Sequence, residues 1–308
     1  MIDKTNTVNI TIEEFGNKIC KALKESMGAG YDAAYKEVTK NNGVCLHAIM
    51  INKKGSNVSP AIYIDELYGD YEEGRSFGDI VYDILCVYQK NAREIRMDME
   101  FFTHFERVKD RVLYKLIHRE SNRNLLTDVP YIEWNDLALV FYYSFEDERF
   151  GKATILIRNS HLNMWKIGKS VLYENARKNM LRLRPEEMLP IKQIISEILT
   201  QNSVAYTVSE QEPEVSMYVL SNRERLYGAS ALLYAESLKE LAGKLNKNLI
   251  ILPSSVHEVL LVPDDGMTEK DFFKEMVKEV NDSQVEPEER LSYNVYHYDR
   301  VLEKITIL

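Results

Sequence analysis

Residues 137–145 read Leu137-Ala138-Leu139-Val140-Phe141-Tyr142-Tyr143-Ser144-Phe145. Successive side chains of a strand point to opposite faces, so a run that is apolar at every position from Leu137 to Phe141 must be covered on both. A half-exposed strand would alternate apolar with polar. The extended run Ala153 to Ile157 follows closely and predicts a hairpin with the first. A strand buried this way needs helices or other strands around it, and the flanking sequence offers both.

Toward the N-terminus, Thr11-Ile12-Glu13-Glu14 reads as a capping box. It opens a helix with Ile12, Phe15, Ile19, Ala22 and Leu23 on one face. Extended runs at Tyr31–Thr39 and Val44–Ile51 flank Asn41-Asn42-Gly43. Asn-Gly tolerates positive φ at both turn centres, which predicts a second hairpin. A third run, Ala61–Ile64, follows Pro60. Ser76-Phe77-Gly78-Asp79 caps a helix with Phe77, Ile80, Val81, Ile84, Val87 and Tyr88 inward, and the charged stretch Ala92–Ile117 predicts more helix.

Toward the C-terminus, helices are predicted over Ser170–Met180, Ile191–Leu199 and Glu236–Leu245, the last with Leu238, Leu241, Ala242 and Leu245 inward. Strands are predicted at Met217–Ser221, Leu249–Leu252 and Glu258–Val262. Thr268 and Asp271 cap a helix that buries Phe272, Phe273, Met276, Val277 and Val280, and Leu291–Tyr298 and Val301–Ile307 are extended. Antiparallel hairpins packed with amphipathic helices, without a βαβα rhythm, define an α+β chain. The polar stretch His118–Asp128 before Pro130 predicts a division into two α+β lobes, 1–120 and 126–308.

The bulk numbers agree with that class. A chain of 308 residues is long for a single core, and 45% hydrophobic against 28% charged residues is a globular balance. The net charge of −9 argues against a protein built to neutralise phosphates, so nucleic acid is an unfavoured partner. Cys20, Cys45 and Cys86 lack CxxC spacing and sit in apolar-periodic segments, which predicts buried thiols in a reducing compartment. Neither a secretory pattern near the N-terminus nor an 18-residue apolar run is visible, so the expected compartment is the cytoplasm, with no membrane partner.

Three segments together carry a resemblance: NNGVCLHAIMINKKGSNVSPAIYIDELYGDYEEG (41–74), MYVLSNRERLYGASALLY (217–234) and LIILPSSVHEVLLVPDD (249–265). The combination resembles domain-of-unknown-function family 5688, from anaerobic Gram-positive bacteria. The arrangement from Met164-Trp165-Lys166-Ile167-Gly168 to Asn179 is similar to a second uncharacterised bacterial family, numbered 1444. Both resemblances imply a bacterial cytoplasmic protein, and neither supplies an activity or a catalytic residue.

Pro253-Ser254-Ser255-Val256-His257-Glu258 gathers hydroxyls, an imidazole and a carboxylate beside a turn between two apolar strands. Nucleophilic catalysis needs a hydroxyl, a base and a group orienting that base, which makes Ser255 and His257 catalytic candidates. In an extended segment Glu258 points away from His257, and no GxSxG elbow accompanies Ser255. The competing reading is a turn whose hydroxyls satisfy backbone groups, with Ser254, Ser255 and His257 as ligand or partner contacts.

Lys152, Arg158, Lys166, Lys169, Arg177, Lys178, Arg182 and Arg184 face a single acid, Glu174, across 152–184, with Trp165 and Tyr173 interleaved. Such a stripe can track a phosphate backbone, and Lys166, Arg177 and Lys178 are its candidate contacts. It can equally be a solvated face or dock on the chain's own acids, such as those in Asp264–Glu289. The acids Asp65, Glu66, Asp70, Glu72 and Glu73 read as a solvated face, and Tyr63, Tyr68 and Tyr71 either as a polar interaction surface or as partly buried helix residues with wet hydroxyls. The six histidines show no HExxH or other tight ligand spacing, and no phosphate-binding glycine loop is present, so neither metal nor cofactor is expected. The leading expectation is a non-enzymatic protein that binds a protein or an anionic ligand. The alternatives are a hydrolase centred on Ser255 and His257, and a nucleic-acid-associated protein using Lys152–Arg184.

Overall fold

The structure is a computed structural model that describes residues 10–56, 59–91, 100–147, 151–201, 217–234, 236–267 and 269–308. The chain divides into two compact units, one of residues 1–40 and 44–99, the other of 41–43 and 100–308. It is an α+β protein with three antiparallel sheets. Among the described residues no helix is long and apolar enough to cross a membrane.

Unit 1 starts with α1 (Ile12–Met27), capped reciprocally: Glu14 N–H donates to Thr11 Oγ1 at 3.2 Å and Thr11 N–H to Glu14 Oε2 at 2.9 Å. Strands β1 (Tyr31–Thr39), β2 (Cys45–Lys53) and β3 (Ala61–Tyr63) form a sheet in that order. The predicted turn has φ of 60° at Asn42 and 71° at Gly43. Next come α2 (Asp65–Glu72) and α3 (Phe77–Asn91). Phe15, Ile19, Leu23, Ile49, Ile51, Ile64, Ile80 and Ile84 make the core. Tyr68 and Tyr71 pack on Phe15, and Tyr68 Oη donates to the Ile10 carbonyl at 2.8 Å, so these tyrosines serve the interior.

Two expectations change in this unit. Cys20 is buried, which pushes its thiol pKa up, but Cys45 and Cys86 are exposed. Cys86 lies half a helical turn from the Ile80–Ile84–Tyr88 stripe, which explains its exposure. Val87 sits on the flank of the same stripe and is 47% exposed.

Unit 2 opens with α4 (Phe105–Val108), β4 (Val112–His118), α5 (Arg123–Leu126), β5 (Tyr131–Trp134), β6 (Leu137–Asp147) and β7 (Gly151–Leu156). β6 is the expected covered strand. β4 pairs along one edge from Leu137 to Tyr143, while β5 (at Leu137–Val140) and β7 (at Tyr142–Asp147) share the other edge end to end. One face sends Leu137, Leu139 and Phe141 into the main core, and the other sends Ala138 and Val140 against Ile117, Leu126 and Val129.

The predicted helix over Ala92–Ile117 is corrected here. Residues 92–99 lie outside the described residues, and Val112–Ile117 is strand. A short apolar run fits a buried strand as well as a helix, and pairing to β6 decides it. The expected lobe boundary also differs. His118–Asp128 joins β4 to β5 inside unit 2, because both strands flank β6 in one sheet.

After α6 (Asn159–Trp165) and α7 (Lys169–Leu183) come β8 (Glu186–Pro190), α8 (Ile191–Gln201), β9 (Tyr218–Asn222), α9 (Glu236–Leu245), β10 (Leu249–Pro253), β11 (Val259–Pro263), α10 (Lys270–Ser283), β12 (Tyr296–Asp299) and β13 (Lys304–Ile307). Thr268, expected to cap α10, lies outside the described residues. The six strands pair antiparallel in the order β13-β12-β10-β11-β9-β8. One face of this sheet packs Ile250 and Leu252 against Phe273 and Val277 of α10. The other joins Leu220, Leu249, Ile251 and Leu261 to the core shared with β6, α7 and α9.

A 3-10 turn at Gly228–Leu233 presses on the end of β9. A methyl at Gly228 would overlap Ser221 Oγ and the His257 carbonyl oxygen and come within 2.7 Å of the Asn222 nitrogen, so only glycine fits. Gly243, in the exposed interior of α9, has open space around it. Gly228→Ala is therefore expected to cost about 3 kcal/mol by overpacking, whereas Gly243→Ala gains roughly 0.5–1 kcal/mol of helix propensity. Urea unfolding checks the pair, and equal effects would contradict the assigned close approach.

Candidate functional site

The Pro253–Glu258 turn connects β10 to β11, and its backbone is tied to the surrounding chain by several hydrogen bonds. Ser255 N–H donates to the Glu258 carbonyl at 3.2 Å, and Val256 N–H to the Glu289 carbonyl at 2.8 Å. The Val256 carbonyl accepts from Ala229 N–H at 3.3 Å, and the His257 carbonyl accepts from Ser221 Oγ at 2.8 Å. Ser255 Oγ accepts from the backbone N–H of His257 at 3.1 Å, and Ser254 is half-buried beside it.

The His257 ring is engaged at both nitrogens. Nδ1 accepts from Tyr227 N–H at 3.2 Å, which assigns the ring proton to Nε2. Nε2 lies 3.4 Å from Glu289 Oε1. The ring stacks on Tyr227 with centroids 5.6 Å apart, and the Lys115 ammonium sits 4.2 Å from the same Tyr227 ring centre. The imidazole and the Ser255 hydroxyl thus share a turn without meeting. Tyr227 supplies the base-orienting contact from a left-handed residue, φ 55°, thirty positions away. Nothing in the local sequence signals it.

Most of the basic stretch is committed to unit 2 itself. Lys152 pairs with Glu224 and Arg158 with Asp128. Lys169 donates to the Tyr131 carbonyl at 2.9 Å, and Arg182 to the Asp110 carbonyl at 2.6 Å. Arg184 is buried, donating to the Leu183 carbonyl at 2.9 Å and to Ser144 Oγ at 3.2 Å. The partner acids are Glu224 and Asp128, where Asp264–Glu289 was expected. Lys166, Arg177 and Lys178 remain exposed. Lys166 ends α6 in a left-handed conformation, Lys178 lies on the outer side of α7 opposite Ala176 and Met180, and Arg177 lies on the flank of that buried face.

Of these three, Arg177 lines a cleft. The hollow measures about 640 Å³, and its walls come from α7, the Gly228–Leu233 turn, α9, the end of β5, β12 and β13. Trp134, Leu181, Tyr234, Leu238, Tyr298 and Ile305 give it apolar and aromatic surface. Its charged groups are Arg177, Lys304, Glu236 and the Lys239–Glu303 pair, closed at 2.5 Å. That hydrogen bond raises the Lys239 pKa. Arg177 and Lys304 form no ion pair among the described residues, so the cleft has two unspent cations against Glu236. Tyr234 donates to the Arg184 carbonyl at 2.8 Å, and burial pushes its hydroxyl pKa well above the usual phenol range. A smaller hollow of about 390 Å³ carries Arg119 and Arg123, which are neutralised by Glu133 and Glu120 at 2.6 Å each.

The sequence pointed to Arg177 but not to Trp134, Tyr234, Tyr298 or Lys304. These residues come from separate elements, so no spacing links them. Among the described residues, no group of three or more His, Cys, Asp or Glu side chains is arranged to hold a metal ion.

Loss of the His257 ring leaves the Tyr227 N–H without its acceptor and removes the stack, so His257→Ala is expected to cost about 2 kcal/mol. Ser255→Ala removes one acceptor and costs on the order of 1 kcal/mol. Chemical denaturation at fixed pH measures both, and a neutral His257→Ala would contradict the structural role of the ring.

The model of a family of unknown function (DUF5688) matches residues 12–300. No curated protein and no solved structure matches the chain. The matched residues take in nearly all of both units, and the chain belongs to this family of unknown function, DUF5688.

Proposed function

We propose that the protein is a binding protein, and that the cleft in unit 2 takes a small anionic ligand with an apolar or aromatic body. The observation that carries this reading is the pairing of an aromatic lining with two cations in no ion pair among the described residues, Arg177 and Lys304, which outnumber the one unpaired acid, Glu236, at one concave surface. Ligand sites combine apolar walls with a few placed polar groups in this way. The reading extends to a bacterial source, on the family resemblance of residues 41–74, 217–234 and 249–265, and to the cytoplasm, where free thiols such as Cys45 persist. A nucleic-acid surface has less support, since Lys152, Arg158, Lys169, Arg182 and Arg184 are spent on internal contacts. A hydrolase at Ser255 has less support because its hydroxyl accepts from a backbone N–H and does not reach the imidazole.

The probe for this site is 8-anilinonaphthalene-1-sulfonate, an anion on an aromatic body. Arg177→Glu combined with Lys304→Glu is expected to weaken its binding at least tenfold, because a charge-assisted hydrogen bond contributes about 1.5–3 kcal/mol. Both positions are exposed, so the melting temperature should hold. Absence of saturable binding to the folded wild type, or equal affinity in the double variant, would overturn the proposal.

A further inference from the structure

The segment 118–122 lies inside unit 2 and assembles a serine, a histidine and an aspartate. The β4–β6 register sets His118 opposite Leu137, which brings Asp136, the residue before Leu137, alongside His118. Asn135 makes the tight β5–β6 turn possible with φ 51°. The 3-10 turn Glu120–Asn122 then folds the chain back, so that Ser121 lies over His118 three residues earlier.

The geometry orders the three groups. Ser121 Oγ is 2.8 Å from His118 Nδ1, and Ser121 N–H points at the same nitrogen from 3.4 Å. An N–H aimed at Nδ1 assigns that nitrogen as the acceptor, so the Ser121 hydroxyl donates to it and the ring proton sits on Nε2. His118 Nε2 lies 3.9 Å from Asp136 Oδ2. Asp136 is fixed in turn, accepting from Ser292 Oγ at 2.6 Å, Asn294 Nδ2 at 2.9 Å and Tyr296 Oη at 2.7 Å. His118 and Asp136 are largely covered, at 23% and 16% side-chain exposure, while Ser121 is exposed. An exposed serine, a ring nitrogen 2.8 Å from its hydroxyl oxygen that can take the proton, and a fixed carboxylate 3.9 Å behind the ring are the parts of an activated nucleophile. Ser255 and His257 lack this order, since their hydroxyl and imidazole do not meet.

We propose that Ser121 is a nucleophile toward small carboxylic esters and related acylating or phosphonylating agents, with His118 as its general base and Asp136 as a positioning residue. Ser121 Oγ bonds to the electrophilic carbon while its proton passes to His118 Nδ1. The C–O bond to the leaving group breaks, and the alcohol departs with the proton from the imidazolium. Water, deprotonated by the same nitrogen, then cleaves the acyl-serine to the carboxylic acid and regenerates the hydroxyl. The site is separate from the aromatic cleft and does not depend on it.

A fluorophosphonate probe reads the first step, forming an O–P bond at serine with loss of fluoride. Full-length protein is expected to gain a single adduct that maps to the peptide containing Ser121 and is absent in Ser121→Ala. Labelling should slow at least 100-fold in folded His118→Ala, within the range general-base catalysis supplies, roughly 10²–10⁴. It should also slow in Asp136→Asn and recover in part in Asp136→Glu, a rescue that a purely structural role would not give. An unlabelled wild type, an adduct that persists in Ser121→Ala, or wild-type labelling rates in His118→Ala would overturn the proposal.

Discussion

Strand β6 imposes the constraint on which unit 2 depends: a strand apolar on both faces and hydrogen-bonded on both edges has to be enclosed. Covering one edge takes β4, and covering the other takes β5 and β7 placed end to end. Covering the faces takes α7 and the six-stranded sheet on one side and the smaller Ile117–Leu126–Val129 cluster on the other. Burial of side chains such as Leu139 and Phe141 contributes about 1.5–3 kcal/mol each, so the enclosure is worth more than any single polar contact in the unit. The polar groups of unit 2 are arranged around that enclosure. Arg184 donates through its two terminal nitrogens to the Leu183 carbonyl and Ser144 Oγ, and burial pushes the Tyr142 hydroxyl pKa up to about 12.

The same enclosure fixes where the concave and reactive surfaces arise. The β5–β6 turn carries Trp134 to the rim of the aromatic cleft and Asp136 to the back of His118. Asp136 also ties this turn to the segment before β12 through Ser292, Asn294 and Tyr296, and the buried Tyr296 hydroxyl has its pKa raised by desolvation and then by the Asp136 carboxylate. One short turn thus positions groups for two surfaces, because it sits where the two sheets of unit 2 approach each other.

Local periodicity made the helices legible. The Thr11–Glu14 box and the α9 stripe each depend on residues within a few positions, and so does the α10 stripe, where Phe273, Met276 and Val277 turn inward as expected but Phe272 and Val280 are exposed. β4 was less legible, since Val112-Leu113-Tyr114-Lys115-Leu116-Ile117 is apolar enough for either a helix or a covered strand until β6 is beside it. The exposed part of the basic stretch was legible in outline, but which cations remain available depends on Glu224, Asp128 and backbone carbonyls distant in sequence. The cleft and the Ser121–His118–Asp136 arrangement were not legible. One is assembled from six elements, and the other depends on the register that sets His118 opposite Leu137.

The central functional claim is that the cleft beside Trp134 is a ligand site. The chain has two tryptophans, Trp134 at the cleft and Trp165, which is buried with its indole N–H donating to the Phe102 carbonyl at 2.7 Å. Indole N–H resonances of 15N-tryptophan-labelled protein, followed during addition of 8-anilinonaphthalene-1-sulfonate, report on both places at once. The Trp134 signal is expected to shift in a saturable way while the Trp165 signal stays in place. A stationary Trp134 signal at saturation, or a shift confined to Trp165, would contradict it.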